Sequence, residues 1–77
     1  MMDGNTMAKP LDALNRSRGK RVIVDLKNGW RYVGKLQAFD IHINTVLDEA
    51  EEIKEGEIVR KIGSVVVRGD NVVYVSP

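Results

Sequence analysis

Residues 21–39 read RVIVDLKNGWRYVGKLQAF, and this stretch decides the fold. Apolar and polar side chains alternate before the pair Asn28-Gly29, which is typical of a strand with one buried face. The pair itself favours a two-residue hairpin turn of type I′, because both central residues of that turn need positive φ. The strand pattern then resumes, and Gly34 inside it indicates a bulge or a sharp bend. The stretch therefore predicts a hairpin whose second strand is bent.

The rest of the chain repeats the strand signal, apart from one short helix. Residues 9–17 predict that helix, with Pro10 in its first turn and Gly19 at its end. Residues 51–56 are acidic and predict a loop, and Gly63 interrupts the fourth strand. The predicted strands are residues 21–27, 30–39, 44–50, 57–68 and 72–75. We expect an all-β fold with a short N-terminal helix, in which five antiparallel strands form a meander that curls into a small open barrel.

Length and composition exclude several classes of protein. The 77 residues form at most one domain, predicted over residues 9–77 after a polar, disordered tail over residues 1–8. With no Cys and one His, the chain is expected to hold no disulfide, no metal and no cofactor. No secretory segment is visible, and no apolar run approaches the roughly 20 residues that span a bilayer. These features predict a cytoplasmic protein without a membrane partner.

The charges are unevenly distributed along the chain. Residues 1–39 hold eight basic and three acidic side chains, whereas residues 40–57 hold one basic and seven acidic side chains. The net charge is only +1, and a non-specific polyanion binder is usually basic overall. Any affinity for nucleic acid is therefore expected to depend on a shaped pocket.

Two predicted strands are apolar on both faces. These are residues 65–67 and the closing run over residues 72–75. A two-sided apolar strand at the edge of a small monomer would promote aggregation. Pairing such an edge with the edge of a second copy removes that hazard, and head-to-tail pairing closes into a ring when the rotation fits. We therefore expect a homo-oligomer.

Two short polar segments interrupt the strands: DIHIN at residues 40–44 and RGDN at residues 68–71. The imidazole of His42 and the guanidinium of Arg68 are both flat, and unstacked RNA bases stack on such groups. The Asn44 amide offers both donors and an acceptor, so it can pair with the edge of a base. If the fold brings the segments together, the three side chains predict a site for single-stranded RNA.

Neighbouring residues have supporting roles in this hypothesis. Asp40, or a nearby backbone group, is expected to hold the Asn44 amide in the one orientation that favours uracil over cytosine. Gly69 is expected to offer a bare backbone N–H to the base or ribose. An Asp40–Asp70 pair for catalysis is an alternative, but no nucleophile or metal cluster accompanies it, so we expect no enzyme and no small-molecule substrate. The tripeptide Arg68-Gly69-Asp70 also occurs in cell-adhesion sequences, which the lack of a secretory segment disfavours.

Two further features leave alternatives open. Trp30, beside the hairpin turn, is either a packing residue or a second RNA contact. A basic cluster either touches phosphates or is a solvated junction between helix and strand; its members are Arg16, Arg18, Lys20 and Arg21.

The two polar segments lie within two longer stretches that resemble a known family. Residues 21–52 resemble the first Sm motif and residues 63–77 resemble the second. The matching features are Gly29, Gly34, Leu36, Phe39-Asp40, Asn44, Leu47, Glu52, Gly63 and Arg68-Gly69-Asp70-Asn71-Val72. The compact length is most similar to the archaeal Sm-like (Lsm) proteins, and the Arg-Gly form of the second motif differs from that of the Hfq proteins.

This resemblance implies the Sm fold, a short helix on a strongly bent five-stranded sheet. It implies a homo-oligomeric ring, usually of seven subunits, joined by pairing of the fourth strand with a neighbour's fifth strand. It also implies that uridine-rich single-stranded RNA binds around the inner rim. Residue by residue, His42 and Arg68 would stack on the base, Asn44 would bond its edge, and Asp40 and Asp70 would orient the loops.

The function implied is RNA processing, or action as an RNA chaperone or scaffold. The main alternative is a ring that serves as a protein-assembly platform and binds RNA weakly or incidentally. A monomeric barrel adaptor is a third reading, which the two-sided apolar edge disfavours.

Overall fold

A computed structural model describes residues 10–76 of the chain. A short helix precedes five antiparallel strands, and the strands form one strongly bent sheet, so the predicted fold class is confirmed. The predicted disordered tail, residues 1–8, lies outside the described residues. The elements are α1 (Pro10–Arg16), β1 (Arg21–Leu26), β2 (Trp30–Phe39), β3 (Thr45–Lys54), β4 (Glu57–Val67), a 3₁₀ turn (Gly69–Asn71) and β5 (Val72–Ser76). Within residues 10–76, no helix has the length and apolar character needed to cross a membrane.

The strand order is β4-β3-β2-β1-β5, so the predicted meander is wrong for the last strand. β5 does not extend the sheet beyond β4. It pairs with β1, for example Val24 with Val75. Because β2, β3 and β4 are long and bent, the sheet curls until the end of the chain meets the free edge of β1. β4 and β5 are the two edges that remain.

The bend in β2 requires the glycine at position 34, as predicted. A Cβ atom there would lie 2.9 Å from the Asp48 carbonyl oxygen and 3.0 Å from the Ala50 Cα. The register of β2 against β3 shifts beside this residue. Because glycine has no side chain, the backbones of β2 and β3 can approach closely where the sheet bends.

The hairpin between β1 and β2 is present, but its predicted type I′ turn is wrong. Gly29 has φ of +87°, whereas Asn28 is not among the described residues with positive φ. The Gly29 N–H donates to the Leu26 carbonyl at 3.1 Å, which closes a type I turn followed by a left-handed glycine. The reason is the register: Asp25 pairs with Arg31, which leaves three loop residues, and a two-residue turn does not fit.

The predicted acidic loop over residues 51–56 is also wrong, because β3 continues to Lys54. Only Glu55 and Gly56 remain outside the strands, with φ of +54° and +82°. Positive φ at both positions of a two-residue loop defines a type I′ turn. The turn type that the sequence suggested at the first hairpin therefore occurs at the β3–β4 hairpin.

Cross-strand partners explain why acidic residues can form a strand here. Glu52 accepts a hydrogen bond from the Tyr32 hydroxyl at 2.8 Å and lies 3.4 Å from the Arg60 guanidinium. Glu51 pairs with Arg21 across 3.6 Å. Glu52 and Arg60 are directly opposed on adjacent strands, where opposite charges stabilise the pairing. Arg21 reaches Glu51 from β1, which is not adjacent to β3.

The core lies inside the curl of the sheet, with α1 closing one end. A seven-residue helix is not stable alone in water, so it depends on this docking. Leu14 supplies its buried contact with the core. The buried apolar residues are Leu14, Val22, Val24, Leu36, Leu47, Ala50 and Val67.

Candidate nucleic-acid interface

The DIHIN loop (residues 40–44) is organised by the carboxylate of Asp40. Its Oδ1 accepts hydrogen bonds from the backbone N–H groups of His42 and Asn44, at 2.8 and 3.1 Å. Its Oδ2 accepts from the Asn44 Nδ2 at 2.9 Å. One side chain thus fixes both the path of the loop backbone and the position of the amide that follows it.

These hydrogen bonds also set the protonation state of Asp40. The bond from the Asn44 side chain is the largest influence, and it holds the pKa of Asp40 below its ordinary value of 3.8. The backbone N–H groups of His42 and Asn44 act in the same direction, because they stabilise the charged form. Asp40 is therefore ionised near neutral pH and acts only as an acceptor.

The RGDN turn (residues 68–71) contacts the DIHIN loop through Gly69. The Gly69 N–H donates to the Asn44 Oδ1 at 2.7 Å. The Gly69 Cα lies against the carbonyl group of His42, where a Cβ atom would overlap the oxygen. The fold therefore brings the two polar segments together, and a glycine is needed where they meet.

This contact corrects the predicted role of Gly69. Its backbone N–H does not face outward to a base or a ribose, because the Asn44 amide oxygen accepts it. The bare backbone at this position serves a different purpose, which is to let the His42 carbonyl approach.

Arg68 and Asp70 interact within their own turn. The Arg68 Nη2 donates to the Asp70 Oδ2 at 3.2 Å, and the Arg68 side chain is 77% exposed. Exposed ion pairs contribute little to stability, about 0–1 kcal/mol before screening by salt. The guanidinium can therefore leave Asp70 and lie flat on a ligand at small cost.

The Asn44 amide has unused hydrogen-bonding capacity. One hydrogen of Nδ2 is given to Asp40, and one lone pair of Oδ1 is given to Gly69. A second hydrogen and a second lone pair remain. Rotating the amide by 180° would place its oxygen against the Asp40 carboxylate and its NH₂ group against the Gly69 N–H, so one orientation is strongly favoured.

The other candidates from the sequence have structural partners. The Lys54 ammonium lies 4.6 Å from the centre of the Trp30 ring, a cation–π contact between paired strands. In the basic cluster, Arg21 pairs with Glu51, and Arg18 contacts the Asn15 side chain at 3.5 Å. Across residues 10–76, no group of three or more His, Asp or Glu side chains is arranged to hold a metal ion.

Comparison with known proteins agrees with the fold and the motifs. Residues 12–77 match the LSM domain. The chain belongs to the LSM domain family. This confirms the resemblance to archaeal Sm-like proteins that the two sequence motifs indicated.

Several relatives of this LSM-domain chain are archaeal proteins. It is 64% identical over 69 residues to a protein of Methanococcoides burtonii named as snRNP Sm-like, a match covering 90% of this chain and 96% of the relative. The Sm protein of Pyrococcus abyssi, solved in complex with a uridine heptamer, is 49% identical with a TM-score of 0.88, over 90% of this chain and 97% of that one. A heptameric archaeal Sm protein is 45% identical with a TM-score of 0.80, over 84% of this chain and 94% of that one.

Proposed function

We propose that this LSM-domain protein forms a homo-oligomeric ring of seven subunits that binds uridine-rich single-stranded RNA and acts in RNA processing or as an RNA chaperone or scaffold. His42 and Arg68 stack on the two faces of a base, and Asn44 reads its edge. Asp40, Gly69 and Asp70 support these three residues. The protein is proposed to be non-enzymatic and cytoplasmic, with residues 9–77 as its ring-forming domain.

The observation that carries this proposal is the fixed Asn44 amide. Uracil presents an N–H donor beside a carbonyl acceptor, which pairs with the free lone pair of Oδ1 and the free hydrogen of Nδ2. Cytosine presents the same two kinds of group in the reverse order. Because Asp40 and Gly69 prevent the amide from rotating, the pocket cannot adapt to that reversal.

The open sheet edges support the ring. β4 and β5 lie at opposite ends of the strand order, and both carry exposed apolar residues. Val66 on β4 is 67% exposed and Val73 on β5 is 60% exposed. Pairing β4 of one copy with β5 of the next covers both edges. Several weak pockets on one ring then act on a single RNA strand, which raises the overall affinity without new contacts.

The test is an anisotropy titration with labelled uridine, cytidine and adenosine decamers, carried out side by side at each of two stated salt concentrations. A strong preference for uridine is expected. Equal affinities that fall steeply with salt would show that charge alone attracts RNA. No binding to any decamer would reject the RNA pocket and favour the protein-assembly platform, which pull-down with the intact ring would then examine.

A further inference from the structure

The DIHIN loop has the same backbone design as the β1–β2 hairpin. In that hairpin, the Gly29 N–H donates to the Leu26 carbonyl at 3.1 Å, and Gly29 has φ of +87°. In the DIHIN loop, the Ile43 N–H donates to the Asp40 carbonyl at 3.0 Å, and Ile43 has φ of +62°. The Asp40 N–H also donates to the Asn44 carbonyl at 3.2 Å, so three residues, 41–43, lie inside this closing bond, just as residues 27–29 lie between β1 and β2. In both loops the last of the three residues is left-handed. Ile43 occupies the position that glycine occupies in the other loop.

Isoleucine is an unfavourable residue for this conformation. A β-branched side chain crowds the backbone at positive φ, and such a residue persists only where its surroundings hold it there. Glycine, or an asparagine, would adopt the same backbone without strain. The side chain of Ile43 must therefore contribute something that compensates for the strain of its backbone.

The surroundings of Ile43 show what that contribution is. Its side chain is half-buried and packs against the hydrophobic core, whereas the neighbouring Ile41 is 74% exposed. Ile43 also lines a cavity of about 560 Å³ between α1 and β5, together with Leu14 and Val72. The loop is thus anchored on the body of the protein at one apolar point, which lies between the two residues proposed to contact the base.

We propose that Ile43 is a positioning residue for the RNA pocket: its half-buried side chain holds the DIHIN loop in the strained conformation that presents His42 and Asn44 together. This inference rests on the proposed function. The hydrogen bonds of Asp40 shape the loop internally, but they do not attach it to the core. Ile43 supplies the apolar attachment, beside the hydrogen bond from Gly69 to Asn44, so less freedom of the loop is lost on binding.

The test compares the same substitution at two positions in one loop. Ile43→Asn relieves the backbone strain and removes the apolar anchor. Ile41→Asn makes the identical chemical change at an exposed site, and Ile43→Leu keeps the anchor. We expect Ile43→Asn to weaken uridine-decamer binding by about tenfold and to reduce the uridine-over-cytidine ratio. Ile41→Asn and Ile43→Leu are expected to bind like the unmodified protein.

The outcomes separate this inference from the proposed function. If the unmodified protein shows no uridine preference, the proposed function fails. If it does show one and Ile43→Asn binds as tightly and selectively as Ile41→Asn, only the role of Ile43 is rejected. Ring mass and thermal unfolding are measured for every variant. Should Ile43→Asn not assemble, the milder pair Ile43→Ala and Ile41→Ala is compared by the same criteria.

Discussion

At the scale of single residues, Asn44 joins the two halves of the proposed pocket. Its amide bonds Asp40 in its own loop and Gly69 in the RGDN turn, and it still has one donor and one acceptor to offer. The polar character of both segments was predictable from sequence, since DIHIN and RGDN interrupt strands. The bond between Asn44 and Gly69 was not, because 25 residues separate them and only the fold sets their distance.

Stacking is the first residue-scale prediction. His42→Ala and Arg68→Ala should each weaken uridine-decamer binding, because each removes one flat surface from the base; a stacked base is worth roughly 1–3 kcal/mol. Fluorescence anisotropy at fixed salt measures the loss, and light scattering checks that the ring persists. Lys27→Ala is the control, since it removes a cationic side chain from a residue whose backbone N–H donates to the Asn71 carbonyl, and it removes no flat group. A loss for Lys27→Ala as large as that for Arg68→Ala would indicate charge attraction alone.

The second residue-scale prediction concerns the sensitivity of the DIHIN loop to acid. Hydrogen bonds lower the pKa of Asp40 in the folded protein below the ordinary 3.8, so its ionised form stabilises the fold. That contribution is complete above about pH 4 and is lost as pH falls through the folded pKa. Thermal unfolding of the unmodified protein and of Asp40→Asn is compared from about pH 6 to about pH 2. The difference between their unfolding temperatures should shrink as the pH falls. A difference of constant size would contradict the role of the carboxylate.

At the scale of secondary-structure elements, the strands were more predictable than the turns. The alternating pattern and the mid-strand Gly34 predicted the bounds and the bend of β2, because these signals are local. The β1–β2 turn depended on the register with which Asp25 meets Arg31, which no local pattern specifies. The end of β3 depended on cations that face Glu51 and Glu52 from other strands. The first error therefore arose because the register between two neighbouring strands decided the turn, and the second because partners on other strands decided where β3 ends.

The β3–β4 turn yields a prediction at this scale. Glu55 has φ of +54° beside Gly56, although Asn is the residue that this turn type favours. Glu55→Asn should therefore stabilise the fold by about 1 kcal/mol, seen as a higher urea midpoint. Glu57→Asn is the control, because it makes the same change in side chain and charge at the start of β4. If both substitutions changed the urea midpoint equally, the cause would be the lost negative charge and not the conformation of the turn.

At the scale of the whole molecule, the curl of the sheet leaves β4 and β5 as its two edges. The sequence predicted apolar residues on both faces of these strands, and the structure places Val66 and Val73 outward. It did not predict that β5 closes against β1, because strand order in a curled sheet depends on where the bends bring the chain. The edges expected from the sequence are therefore present, although the meander is not.

The role of the sheet edges in the subunit interface can be tested by introducing a charge on β5. Val73→Asp should convert the ring into smaller or insoluble species, because a carboxylate would be buried when the neighbour's β4 pairs with this strand. Sedimentation equilibrium reports the mass. Gln37→Asp, at an exposed position on the inner strand β2, should keep the ring. Val75 is unsuitable for this test, since it packs against the core and its substitution would also weaken the subunit itself. A ring that survives Val73→Asp would place the interface elsewhere.

The pairing of β1 with β5 has a consequence for the order in which the protein is made. A ribosome releases β1 early, but the strand that completes its pairing is translated only after residues 27–71. Contacts this distant in sequence form late in folding. A partly synthesised chain consequently has no β5 edge to offer to another subunit. In the proposed ring, in which β4 of one copy pairs with β5 of the next, a chain can therefore offer both edges only once residues 72–76 have been translated.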